Sequence, residues 1–384
     1  MRQNDSAEIQ KFLADVAREI TFDEARDAVI LELRGHLQDQ IESGIACGLP
    51  EPLAVRQALR RMGDPSEIGR SLNSVHRPRF DGVLAALVVG LCLVGLWNLS
   101  ATKWAAPQLL WMSLGVGIVV AAYRLSLARL QAMLASLYAV AGLGLLASFF
   151  SGVSVDGQSY LAVFGLTIKI VDFSGVLFAL SLPALSVYFR GTRAEAFAPV
   201  TIFLLPLGYF AVNGFLWAGA LVLVSGLCSL GTLRLRQSAR ALIGVAAAAL
   251  WFALTARSTA ELSPTASLMS EKAHTDYAFQ SLGTVFPAQV IAFGLFAGLL
   301  LHGYREAVRV RGAALRSFAL VAMCLLATQI VLSVAANVEI LPMVTAGVNV
   351  PFLSYGGSGV VANALVVAVL LACLKRRTLD DLAA

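Results

Sequence analysis

Two short stretches hold the residue types that chemistry needs. The first is Pro351-Phe352-Leu353-Ser354-Tyr355-Gly356-Gly357-Ser358-Gly359, just ahead of the last apolar run. Glycine lets a backbone turn or approach a ligand closely, and Ser354, Tyr355 and Ser358 each donate and accept hydrogen bonds. The alternative is a helix-opening turn with N-capping serines. The second stretch is His274-Thr275-Asp276-Tyr277-Ala278-Phe279, where a long polar loop returns to apolar sequence. Partial burial would raise the Asp276 pKa, and Lys272 or His274 nearby would lower it; such opposed effects tune a general base. The alternative is that Asp276 caps the next helix and His274 is a surface residue.

The elements that must position these residues are membrane helices. Of 384 residues, 58% are hydrophobic and 14% charged, with mean hydropathy +0.75. Soluble proteins carry about 25% charged residues. The charge is uneven: residues 1–80 hold 11 Lys/Arg and 13 Asp/Glu, and the remaining chain holds 18 and 11. We expect a soluble helical domain over 1–78 and a membrane domain over 79–384. The polar N-terminus does not read as a cleavable signal peptide. Cys47, Cys92, Cys228, Cys324 and Cys373 lack metal or disulfide-framework spacing and read as small buried hydrophobes. No metal site and no nucleic-acid partner is expected, because topology accounts for the basic excess.

A membrane span needs about 20 apolar residues. Ten candidates fall at 81–99, 106–123, 132–150, 173–190, 196–210, 213–233, 240–256, 285–303, 315–335 and 358–374. Loop Lys/Arg residues alternate across them, sixteen on one side and four on the other, the four being Lys103, Lys169, Arg257 and Lys272. The excess marks the cytoplasmic side and places both termini there. The long loops near 151–172, 257–284 and 336–357 then face outward. Their acids and those beside them, Asp156, Asp172, Glu261, Glu271, Asp276 and Glu339, are the external supply of general bases.

The head reads as three or four amphipathic helices. Thr21 and Glu24 form a capping box ahead of an apolar run through Ala28, Leu31, Leu37 and Ile41. Another helix carries Leu53, Ala54, Ala58, Leu59 and Met62, and Asp64-Pro65-Ser66-Glu67 is a second capping box with proline at the first helical position. His36 has no second ligand at helical spacing and reads as a surface or structural histidine. Glu32-Leu33-Arg34-Gly35-His36-Leu37 and Ala58-Leu59-Arg60-Arg61-Met62-Gly63-Asp64-Pro65 resemble the helical prefix domain found ahead of some bacterial permeases, which implies an interaction module and no chemistry.

Three patterns occur in order: His274 to Phe279; Asn337 with Leu341-Pro342-Met343-Val344-Thr345; and Pro351 to Ser358 followed by Asn363. With ten spans, they resemble the SEDS family (shape, elongation, division, sporulation) of the RodA, FtsW and SpoVE type. The resemblance implies an all-α polytopic membrane fold of about ten helices. It also implies an inverting glycosyltransferase that polymerises lipid II at the outer face of the bacterial cytoplasmic membrane, in division or cell-shape control. Asp276 falls on the family's essential aspartate and is the implied catalytic base. Lys272, His274, Thr275, Ser354, Tyr355, Gly356, Gly357 and Ser358 are the implied substrate-binding residues. Pyrophosphate departure needs cations or backbone donors, for which Lys272, His274, Arg257 and the Gly356-Gly357 backbone are candidates. No organic cofactor is implied, and a divalent cation is left open. The implied partners are lipid II, membrane lipid and a class B penicillin-binding transpeptidase.

The chain also departs from the family. Val171-Asp172-Phe173-Ser174-Gly175 stands where the family shows Gln-Pro-Ser-Glu, and Leu204-Leu205-Pro206-Leu207-Gly208-Tyr209 where it shows Gln-Pro-Asp-Leu-Gly-Thr. Gln280 to Thr284 replaces a glutamate-rich segment. These losses suit an alternative: a non-catalytic SEDS-like protein that binds lipid II or a transpeptidase and regulates wall assembly. A transporter would carry paired charges within its spans, and these spans are almost free of them.

Overall fold

The computed structural model describes residues 3–76, 78, 80–100, 102–155, 158–163, 166–189, 198–213, 215–230, 286–337 and 349–377. The chain divides into two compact units, Met1–Arg79 and Phe80–Arg377.

The first unit holds four helices: α1 Gln3–Glu19, α2 Asp23–Ala46, α3 Glu51–Met62 and α4 Pro65–His76. Val29, Leu33, Leu37 and Ile41 put every fourth residue of α2 into a core shared with Phe12, Val16, Ala54, Val55 and Ala58. Leu37 and Ile41 lie there as expected, whereas Leu31 of α2 and Leu53 of α3 are exposed. Helix α2 starts one residue later than the expected Thr21 box implies. Phe22 is the N-cap of α2 and its side chain makes no cap bond. Thr21 instead gives its amide and hydroxyl to Asn73 Oδ1 on α4, at 3.1 and 2.9 Å. The second box lies where expected: α4 opens at Pro65, and Ser66 Oγ donates to the Asp64 carboxylate. His36 is exposed, 3.8 Å from Glu32.

The second unit is a helical bundle: α5 Gly82–Leu99, α6 Ala105–Arg124, α7 Leu127–Ser151, α8 Ile170–Tyr188, α9 Ala198–Val212, α10 Leu216–Leu230, α11 Phe286–Val308, α12 Ala313–Asn337 and α13 Gly357–Lys375. Among the described residues, six of these are long and apolar enough to cross a membrane, and α9 and α10 contain shorter apolar stretches. The span expected at 240–256 lies outside the described residues. Packing pairs α7 with α8, α6 with α13, α8 with α10, α10 with α12, and α12 with α13. Helix α8 is central, with most of its length buried.

Part of the loop expected over 151–172 is a three-stranded antiparallel sheet: β1 Val153–Val155, β2 Gln158–Val163 and β3 Leu166–Lys169. Tyr160 pairs with both Val153 and Lys169. The sheet joins the end of α7 to the start of α8, and β3 reaches α13. It marks one end of the bundle, the sheet end. The opposite end is polar and cross-braced. Asp81 caps α5 through Leu84 N and pairs with His302 of α11 at 2.9 Å. Glu306 holds Arg309 and Arg377, and Lys375 Nζ donates to Tyr123 O at 3.1 Å.

Two prolines sit inside helices, Pro183 in α8 and Pro206 in α9. A proline has no N–H to give the carbonyl four residues earlier, which in α8 is Ala179 and in α9 Ile202. Hydrocarbon offers no water to replace it. Neighbouring helices do. Ser225 Oγ of α10 donates to Ala179 O at 2.5 Å, and Tyr138 Oη of α7 donates to Ile202 O at 3.1 Å.

Candidate functional site

The Pro351–Gly359 stretch is a tight turn delivering the chain into α13. Ser354 N donates to Val350 O at 3.1 Å, and Ser354 Oγ accepts from Val350 N at 2.8 Å, closing the turn on itself. No serine caps α13: Gly356 is the N-cap and receives Val360 N at 3.0 Å. The expected alternative of serine capping is thereby set aside. Backbone conformation explains part of the composition. Phe352 has φ of 66° and Gly356 φ of 155°. The first is unusual for a residue with a Cβ, and such positions cost about 1–3 kcal/mol unless the surroundings enforce them. Here they do: Phe352 O lies so close to Gly95 of α5 that a Cβ there would stand 2.5 Å from it.

Helix α6 holds the other side of the turn. Gln108, with no exposed surface, donates through Nε2 to Ser354 O at 3.2 Å and accepts through Oε1 from Gly356 N at 3.4 Å. Trp104 stacks on Tyr355 with centroids 4.6 Å apart, and Lys103 Nζ lies 4.9 Å from the Trp104 ring. Burial raises the Tyr355 phenol above its ordinary 10.0, keeping it a protonated donor. Gly357 lies against the Trp111 indole. Ser354 is buried, while Tyr355, Gly356, Gly357 and Ser358 are half-buried. Of the expected site residues, these five are thus in one place. Asp276, Lys272, His274 and Thr275, and with them Arg257, lie outside the described residues.

Below the turn, two buried carboxamides have an atom without a hydrogen-bond partner among the described residues: Asn363 Oδ1 on α13 and Gln329 Nε2 on α12. A third polar group lies at the sheet end. Lys169 Nζ is 3.1 Å from Asp172 Oδ2, and Trp217 Nε1 donates to Asp172 Oδ1 at 2.9 Å. Both charged residues are only 9% exposed. Asp172 therefore has a cation and an indole as partners, as a buried carboxylate requires.

Sequence reasoning missed Gln108, Trp104 and Trp111. The available signal was a lone carboxamide inside an apolar span, which is costly there unless bonded. It also missed a cysteine pair, Cys228 and Cys324, whose sulfurs are 3.6 Å apart. Cys47 is exposed rather than buried. Among the described residues no group of three or more His, Cys, Asp and Glu could hold a metal.

Comparison with known proteins follows the same division of the chain. Residues 267–379 match the FtsW/RodA/SpoVE cell cycle protein family model, and residues 11–71 match the HAAS model. The protein named "Probable peptidoglycan glycosyltransferase FtsW" of Caulobacter vibrioides is 31% identical over 108 residues, 27% of either chain. Its namesake from Nitrosomonas europaea is 33% identical over 119 residues, 28% of this chain and 30% of the relative. The alignments thus span under a third of these relatives. In fold, the crystal structure of the Thermus thermophilus rod shape determining protein RodA superposes with TM-score 0.61 at 22% identity, covering 77% of this chain and 97% of RodA. A chain of a peptidoglycan synthase complex, solved to show how polymerization and crosslinking are coordinated, gives TM-score 0.61 at 20% identity, covering 78% and 98%. Residues 267–379 are thus similar in sequence to the FtsW/RodA/SpoVE family, and the membrane unit has a RodA-like fold.

Proposed function

We propose that this protein is an inverting glycosyltransferase that polymerises lipid II at the outer face of the bacterial cytoplasmic membrane. The carrying observation is that one family-matched segment, 267–379, contains both the Asp276 motif and the Ser354–Ser358 turn. In this reading a sugar hydroxyl of one lipid-linked disaccharide attacks the anomeric carbon of another. The new C–O bond forms as the bond to undecaprenyl pyrophosphate breaks, and the hydroxyl proton passes to the Asp276 carboxylate. The turn supplies a wall of the cavity, with the Tyr355 hydroxyl and the Gly357 amide offering donors toward the leaving pyrophosphate, while Gln108 holds the Gly356 amide. Lys272, His274 and Thr275 complete the substrate contacts. The loop-charge bias of sixteen to four supports a sheet end facing outward and both termini facing the cytoplasm. Residues 1–78 then form a cytoplasmic interaction domain. A class B transpeptidase is the expected partner, a reading supported by the likeness in fold to a chain of a peptidoglycan synthase complex that couples polymerization to crosslinking.

A second reading, a non-catalytic binder of lipid II or of a transpeptidase, is favoured by one observation. Where the family shows Gln-Pro-Asp-Leu-Gly-Thr, helix α9 is apolar, with Leu207 fully buried in a hydrophobic cluster. One experiment separates the two. Purified protein is given lipid II, and glycan polymer is compared between wild type and Asp276→Asn. Loss of the base should reduce polymer by about 10²–10⁴-fold. No polymer from wild type, alone or with its transpeptidase, would sink the enzyme reading. Undiminished polymer from the variant would remove Asp276 from the mechanism.

A further inference from the structure

We infer that Gln108 is a positioning residue for this reaction, the central element of a three-residue clamp by which α6 sets the geometry of the Ser354–Gly357 turn. The inference rests on the glycosyltransferase reading and reaches outside the family-matched segment, since α6 lies far in sequence from residues 267–379. Trp104, Gln108 and Trp111 are spaced four and three apart, so they fall on one face of α6. That face meets the turn residue by residue. Trp104 takes Tyr355, the Gln108 carboxamide takes both Ser354 and Gly356, and Trp111 takes Gly357.

The Gln108 contacts admit one orientation only. The Ser354 carbonyl can only accept and the Gly356 amide can only donate, so Nε2 must face the first and Oε1 the second. The carboxamide therefore pins the backbone on both sides of Tyr355. Packing alone does not account for it, because leucine would fill the same apolar span without the cost of burying an amide. Retaining the amide makes sense if the turn must hold a defined position. A displacement of about 1 Å at a reacting group can cost 10²-fold in rate.

The test compares Gln108→Leu, which removes both bonds, and Gln108→Glu, which keeps the acceptor and turns a carboxylate toward the Ser354 carbonyl. Ser113→Ala, on the exposed side of α6, is the control. Three readouts are taken: amide hydrogen exchange over 349–360, polymerisation kinetics per folded molecule, and binding of labelled lipid II. We expect Gln108→Leu to speed exchange at Gly356 and to lower kcat about 10–100-fold with little change in KM, and Gln108→Glu to fall between it and wild type. A residue that only supports the fold would lose activity in step with the folded fraction. The inference is overturned if kcat per folded molecule is unchanged in Gln108→Leu, or if exchange at Gly356 is unchanged. Should wild type make no polymer, the glycosyltransferase reading fails by itself. Exchange and lipid II binding then decide about Gln108: faster exchange with weakened binding supports positioning, and unchanged binding overturns it.

Discussion

Gly357→Ala isolates how tightly the turn is seated. A Cβ built on Gly357 would stand 2.3 Å from Trp111 Cε2, 2.5 Å from Cζ2 and 2.6 Å from Cδ2. Ordinary contact begins at 3.4 Å, so the ring or the start of α13 must retreat by about 1.1 Å. The indole is rigid, with no flexible tip to swing aside. Overpacking of this kind costs about 1–3 kcal/mol, against a helix-propensity gain from glycine to alanine of at most about 1 kcal/mol. The net loss in stability should be about 0–3 kcal/mol. Activity should suffer more, because a shift of about 1 Å lies at the proposed substrate wall: about 10–100-fold less polymer per folded molecule. The assay pairs thermal unfolding in detergent with lipid II polymerisation. Trp111→Leu combined with Gly357→Ala should recover activity relative to Gly357→Ala alone, because the obstructing ring is gone. A Gly357→Ala protein with wild-type melting and polymer within about twofold would refute this account of the turn.

Two further outcomes are expected. Ser225→Ala leaves the Ala179 carbonyl orphaned by Pro183 and should cost about 0.6–1.7 kcal/mol; in a Pro183→Ala background the amide returns and the cost should vanish in a double-mutant unfolding cycle, whereas an equal cost in both backgrounds would contradict the pairing. In the head, the Ser66 hydroxyl, with the Ser66 and Glu67 amides and Arg70, holds the exposed Asp64 carboxyl below its ordinary 3.8. A lowered folded pKa stabilises the folded state above the unfolded value, and this is lost as pH falls through the folded value. Asp64→Ala should therefore speed α4 amide exchange at neutral pH, and the difference from wild type should disappear as pH falls from 3.8 through the lowered value; a difference persisting in stronger acid would show that the carboxylate charge is not its source.

Among the described residues, hydropathy placed nine of the ten expected spans on helices to within a few residues at most ends, because a span must satisfy its own backbone in hydrocarbon and so must be an apolar helix. Helix α7 began earlier than expected, at Leu127, and α5 matched almost to the residue. The Pro351–Gly359 stretch was legible for the same local reason: a glycine-rich hydroxyl cluster has no cause to stand at the mouth of an apolar span unless it makes a turn or a site. What the turn rests against was not legible. Gln108 is 246 residues from Ser354, and neither sequence segment carries a trace of the other. The same holds for Ser225 with Ala179, for Tyr138 with Ile202, and for Trp217 with Asp172. The N-cap of α2 is Phe22, one residue past the expected Thr21, whose hydroxyl donates to Asn73, 52 residues away. Sequence thus determined which segments enter the membrane and which residue types gather at their mouths, since both follow from local transfer energy and backbone freedom. Tertiary structure decided which polar groups meet, since a buried donor or acceptor must be bonded and its partner comes from whichever helix packs beside it.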